Sequence, residues 1–178
     1  MRMLSFLSLF ALVTSAVANN RSLSFRHDVL PVLSKAGCNA GGCHGALAGK
    51  GGFRLSLNAY DPATDHYNIT RENRGRRIEF ADPARSLFLT KPTAAVRHKG
   101  GKVLHENSED YKLLIQWIQQ GAPAPSTGDP ELNRIELTPS LSLLKKGDTQ
   151  SLAIHAFFSD GTKRNVTRWA RLTSTDAT

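Results

Sequence analysis

The stretch KAGCNAGGCHGALAGKGG, Lys35 to Gly52, holds both cysteines of the chain and places a histidine directly after the second. Two thiols followed at once by an imidazole are the grammar of covalent haem attachment. The thiols join the porphyrin vinyl groups, and the adjacent ring reaches the iron from one face. The common form is C-x-x-C-H, whereas Cys38, Cys43 and His44 give C-x-x-x-x-C-H. The two extra residues must loop out, and they come from Asn39, Ala40, Gly41 and Gly42, which are small enough to do so. Three rival readings stay open on these residues. A structural zinc site wants four ligands, and no second cysteine pair is present. A Cys38–Cys43 disulfide is sterically feasible but leaves His44 without a role. A redox dithiol usually has C-x-x-C at a helix start.

The opening MRMLSFLSLFALVTSAVANN carries basic Arg2, an apolar run from Leu4 to Val13, and small residues at Ala16 and Ala18. That is the pattern of a secretory signal with cleavage expected after Ala18. The run is too short for a membrane span, which needs about 20 apolar residues. The mature chain is therefore expected to be exported, periplasmic or on the cell surface, with no transmembrane segment after cleavage. Both disulfides and haem attachment suit such a compartment. Formal net charge is +8 over 178 residues, and mean hydropathy is −0.31. Such a basic globular composition favours acidic partners, including an acidic redox protein. The cations are distributed along the chain without a helix-turn-helix, zinc-finger or RNA-binding signature, so nucleic acid is not expected.

Periodicity divides the remainder. Phe25, Val29, Leu30, Val32 and Leu33 predict a short helix that stops at Gly37. Phe53, Leu55 and Leu57 alternate as a short strand would. Asp61-Pro62 marks a loop with one helical turn, and Ser86 or Asp82 can begin another short helix. Ser108 caps the strongest helix, whose apolar face is Leu113, Leu114, Trp117 and Ile118 and whose stop is Gly121 with Pro123. After the linker-like PAPSTGDPELN the period changes to alternation around Pro139, Gly147-Asp148 and Asp160-Gly161. Short strands joined by turns are predicted there. About 45 residues are fewer than the roughly 100 of a full sandwich, so the chain reads as the front of a longer protein. No paired-carboxylate, Ser-His-Asp or phosphate-loop motif argues for hydrolysis.

The order of FRHDVLPVLSKAGCNAGGCHG, GGFRLSL, RGRRIEFADPARSLFLTKPTAAVRHKGGKVL and DYKLLIQWIQQGAPAP resembles the cytochrome c-like domain of exported planctomycete proteins. The final RIELTPSLSLLKKGDTQSLAIHAFFSDGTKRNVTRWARLTSTDAT is similar to the start of a bacterial Ig-like (group 2) domain. The resemblance implies a mainly α haem domain followed by a truncated all-β Ig-like sandwich segment. The corresponding boundaries are a signal peptide at 1–18, the haem domain at 19–125, a linker at 126–133 and the incomplete β-domain at 134–178. The implied function is one-electron transfer through one covalent haem c, within a larger multidomain protein. Redox partners would be another protein or downstream domains of the full chain.

On this reading Cys38 and Cys43 anchor the porphyrin and His44 is the proximal iron ligand. The related domains often carry Met-Pro-Pro before the last helix, where this chain has AVRHKGGKVLH. Met1 and Met3 leave with the signal, so the sixth ligand is His98, His105, or absent. His98 stands nearest the family's Met position. Arg74, Arg76 and Arg77 are candidate partners of the haem propionates, because guanidinium binds carboxylate bidentately. His27 is expected on the surface, His66 in a polar loop, His155 in a strand and Trp117 in the core. Two other functions remain open. One is a non-redox extracellular module with a Cys38–Cys43 disulfide that engages polysaccharide or a surface polymer. The other is a haem peroxidase, which needs an open sixth position.

Overall fold

The computed structural model describes residues 21–175. The expected signal peptide, with Met1 and Met3, lies outside the described residues. The first ordered feature is a π-helical turn, Phe25–Val29, running directly into α1, Leu30–Lys35. Ser24 opens it by accepting a hydrogen bond from His27 N, and Pro31 sits in the first turn of α1, where its missing N–H costs nothing. Gly37, at φ +75°, ends the helix. Cys38 N donates to Leu33 O at 2.9 Å and Gly37 N to Ser34 O at 3.1 Å. These are the two bonds of a Schellman cap, so the helix stop itself fixes Cys38.

Helix α2 spans Pro62–Thr70, longer than the single turn expected, and Asp61 caps it through Thr64 N at 3.1 Å. A 3₁₀ turn at Pro83–Arg85 and helix α3, Leu87–Thr90, start after Asp82 and Ser86 respectively. Helix α4, Glu109–Gln119, begins at Ser108, whose hydroxyl accepts from Tyr111 N, and buries Leu114, Trp117 and Ile118. Its stop repeats the cap of α1, with Gly121 N on Ile118 O and Ala122 N on Trp117 O. These elements close one core around Phe25, Val29, Leu55, Ile69, Leu89 and Trp117. No described helix is long and apolar enough to cross a membrane.

The C-terminal part forms one antiparallel sheet in the order β1-β2-β3, with strands Leu132–Thr138, Ala153–Phe158 and Lys163–Asn165. Strand β2 buries Ile154, Ala156 and Phe158 on one face, as its period-2 pattern requires.

The expected architecture, a mainly α cytochrome c-like domain followed by part of an Ig-like sandwich, is not what the chain adopts. It is a mixed helix-and-sheet protein: among the described residues, four short α-helices and a single three-stranded antiparallel sheet. Proline and glycine interrupt the helical segments early, so α1 and α3 reach only six and four residues. No second sheet covers β2 among the described residues. Instead Phe158 meets the His27 ring edge-on at 4.9 Å, Arg164 lies 3.6 Å from buried Asp28, and Lys35 Nζ donates to Ala170 O. The sheet packs on the first helical segment where a sandwich would use its partner sheet. The Phe53–Leu57 strand also fails to form. Only an isolated Lys50–Phe53 bridge remains, and Leu57–Ala59 turns as 3₁₀.

Candidate functional site

The segment from Cys38 to Gly45 is wound on itself. Cys43 N donates to Ala40 O, His44 N to Cys38 O, and Gly45 N to Ala40 O. A side chain at Gly45 would collide with the Asn39 carbonyl, so the turn demands glycine there. Asn39, itself buried, donates from Nδ2 to Ser34 Oγ at 2.8 Å and pins the turn to α1. The outcome is that Cys38, Cys43 and His44 face one cavity.

That cavity has a volume of about 550 Å³, within the range of small-molecule and cofactor sites. Its floor is apolar and comes from distant parts of the chain: Val32, Leu33, Leu55, Phe88, Leu104 and Leu114. Its rim is cationic, with Lys50, Arg76, Lys91, Arg97 and Lys99. Among the described residues no Asp or Glu lines it.

His98 enters from the far wall. Val96 N on Thr90 O, with Val103 N and Leu104 N on Pro92 O, folds the segment back across the cavity. Its imidazole lies against Gly100, where a Cβ would stand 2.8 Å from Cε1. The His44 and His98 rings lie in the same cavity with centroids 6.3 Å apart and planes 14° from parallel.

Hydrogen bonding prepares both imidazoles in the same way. His44 Nδ1 donates to Phe53 O at 3.0 Å, and His98 Nδ1 donates to Gly101 O at 2.9 Å. A carbonyl only accepts, so each neutral ring carries its proton on Nδ1 and keeps the Nε2 lone pair. Anchoring one nitrogen on a main-chain oxygen is the usual support of a metal-ligating histidine. Burial lowers the pKa of His44, the Phe53 carbonyl partly opposes this, and nearby His98 and Lys50 lower it further. His44 is thus the uncharged, ligand-competent form at neutral pH.

The Phe53 carbonyl is itself held. Gly51 and Gly52, at φ +61° and +72°, make the two-residue turn between bridged Lys50 and Phe53. Arg77 is buried and locks that turn: Nη2 donates to Gly52 O at 2.8 Å and Nη1 to Asn68 O at 2.7 Å. Its guanidinium also stacks 4.5 Å over the Phe53 ring, which packs on His44 at 4.7 Å. The sequence pattern places Phe53 in a strand and does not point to a part in the site. The signal that could have revealed one is the pair Gly51-Gly52, which marks a tight hairpin beside the Cys-His segment.

The remaining candidates separate clearly. Both cysteines are free thiols and half-buried. Desolvation, with a smaller push from Cys43, raises the Cys38 pKa to about 12. His105 is exposed, does not line the cavity, and only its carbonyl is used, by Ser108 Oγ. Arg74 is exposed and away from the cavity, Arg76 is on its rim, and Arg77 has its guanidinium committed to carbonyls and to Glu72 at 3.0 Å. His27 is half-buried, with Nε2 on Pro130 O at 2.7 Å. His66 lies on α2, not in a loop, edge-on to the rings of both Phe25 and Trp117, with Nε2 on Ala122 O. Trp117 is fully buried, and its Nε1 donates to Pro123 O at 3.1 Å.

Among the described residues no three His, Cys, Asp or Glu side chains are placed to hold a bare metal ion together. A porphyrin iron asks less of the protein, because four of its ligands are the ring's own. His44 and His98, each with Nδ1 on a main-chain oxygen, would be the residues to offer it nitrogens, and Cys38 and Cys43 the thiols to anchor it. The donor set, the apolar floor and the cationic rim all fit such a group. Comparisons with family models, curated proteins and solved structures find no match to this chain.

Proposed function

We propose that this protein holds one haem covalently through Cys38 and Cys43, with His44 and His98 on opposite faces of the iron, and serves one-electron transfer. One observation carries the reading. Both thiols and both imidazoles line the same cavity, and the two rings are near-parallel with Nδ1 of each already engaged by a carbonyl.

Bound haem supplies an iron that changes oxidation state by one electron. The chain's residues set the conditions for that change. His44 and His98 would hold the iron through Nε2, each ring being already oriented by the carbonyl on its Nδ1. Two imidazoles give a lower potential than the His/Met pair. The apolar floor and the rim of cations oppose extra positive charge on the metal and raise it again. Of the three candidate arginines Arg76 is the one on the rim, where it would meet a propionate, while Arg77 orders the wall beneath. Two imidazoles in one cavity would leave no position open for peroxide, which favours electron transfer over peroxidase chemistry.

The test is production with haem-attachment machinery, followed by denaturing electrophoresis with haem stain and intact mass. The expected result is a stained band whose mass exceeds that of the polypeptide by one haem. A mass equal to the polypeptide with two oxidised thiols would refute the proposal and support the disulfide-containing binding module.

A further inference from the structure

The chain's charge is segregated along the sequence. Between Asp28 and Asp61, and again between Asp82 and Glu106, there is no carboxylate, yet the two stretches hold eight Lys and Arg. The other 15 Lys and Arg are matched by all 15 Asp and Glu, so these two stretches carry the entire net charge of +8. They are also the walls of the cavity: the first contributes Cys38, Cys43, His44 and Lys50, and the second Lys91, Arg97, His98 and Lys99. Lys50, Arg76, Lys91, Arg97 and Lys99 form no ion pair among the described residues, whereas seven ion pairs form elsewhere. Lys50 and Lys91 instead donate to main-chain oxygens of Gly42 and Arg97.

Cations gathered without counter-charges repel one another, and that cost is relieved when a negative surface arrives. Two propionates could neutralise only part of the set. The collar also has an apolar element: Val96 and Val103, 40% and 37% exposed, flank the segment that carries Arg97, Lys99 and Lys102. Apolar residues inside a ring of charge are the anatomy of a protein interface, with a core that excludes water and a rim that steers. A nucleic acid would need a track of cations without that centre.

We propose that the cavity mouth is a docking surface for an acidic face of a partner protein. Every electron that reached a group in this cavity by the open side would pass through that interface, but the docking does not depend on the haem reading and is tested without it.

The experiment is amide NMR mapping on the ¹⁵N-labelled chain, first without haem. Polyglutamate peptide is the probe, with duplex DNA of equal charge and inorganic phosphate in parallel. The proposal expects peptide-induced shifts confined to the mouth, around Lys50, Val96, Arg97, Lys99 and Val103, and lost at high salt. The Lys99→Glu/Lys102→Glu variant should weaken peptide binding about tenfold. Lys145→Glu/Lys146→Glu, the same charge change in the loop between β1 and β2, should leave it unaltered. Equal loss in both variants would overturn the proposal, because net charge alone would then explain binding. So would shifts centred on the sheet, tighter binding of DNA at the mouth, displacement of the peptide by phosphate at comparable concentration, or no binding at low salt. A negative haem stain combined with mouth-localised shifts would remove the haem reading and leave the docking surface standing.

Discussion

His44 and His98 lie with centroids 6.3 Å apart and planes 14° from parallel, though they come from opposite walls of the cavity and each is oriented by a different carbonyl. Neither ring is positioned by the other. The arrangement is built from two independent backbone supports that converge on one gap.

The first prediction concerns the sixth ligand. In haem-loaded protein, His98→Ala should convert a low-spin spectrum to high-spin, while His105→Ala should leave it low-spin, since His105 is exposed and outside the cavity. Optical and EPR spectra of the two variants decide it. A low-spin His98→Ala protein would remove His98 from the iron.

A second prediction follows from the lowered His44 pKa. Below its ordinary pKa of about 6.5 the unfolded chain binds a proton that the folded chain resists. Stability of the haem-free protein should therefore fall as pH drops through that value and be recovered as pH rises. His44→Asn should flatten that part of the profile. Urea midpoints between acid and neutral pH measure both, and an unchanged slope in the variant would assign the effect to other groups.

Cysteine reactivity provides a third. Desolvation lifts the Cys38 thiol to about 12, so almost none of it is thiolate at neutral pH, and only the thiolate attacks alkylating reagents. In the haem-free chain, Cys43→Ser should react with iodoacetamide far more slowly than an unfolded control. Rapid alkylation of that variant would contradict the buried setting of Cys38.

Arg77 offers the fourth. Arg77→Gln strips charged donors from the carbonyls of Asn68 and Gly52 and should cost about 2–3 kcal/mol in chemical unfolding. Because Arg77 also stacks on Phe53, the variant should shift the His44 side-chain nitrogen signals and its titration. Phe53→Leu should shift those signals as well with the Arg77 bonds intact. Stability loss with an unmoved His44 would limit Arg77 to a structural part.

Much of this could be read from local rules. Ser108, Gly121 and Pro123 delimit α4 because caps and stops act over a single turn. Gly37 marked the end of α1, and Cys38, Cys43 and His44 sit together because they are close in sequence. Helix α2 was read only as a turn because its buried positions Asp65, Asn68 and Thr70 are polar and hide the apolar stripe. Asp65 is satisfied from a distance, by Ser56 N and Ser56 Oγ. The alternation of Phe53, Leu55 and Leu57 promised a strand, but no neighbouring strand pairs with it, and a strand needs one. Overall architecture depended on what the β-segment packs against, which no local pattern encodes. The choice between His98 and His105 is of the same kind, since only the fold-back over Pro92 brings one ring to the gap.

Asp28 sits fully enclosed with Arg21 donating from both terminal nitrogens, at 2.9 and 2.7 Å, while Arg164 of β3 approaches the same carboxylate. One side chain thus ties the sheet to the rod that ends at Cys38. Tension applied to the sheet would therefore reach the first thiol through that rod as well as through the backbone of residues 123–131.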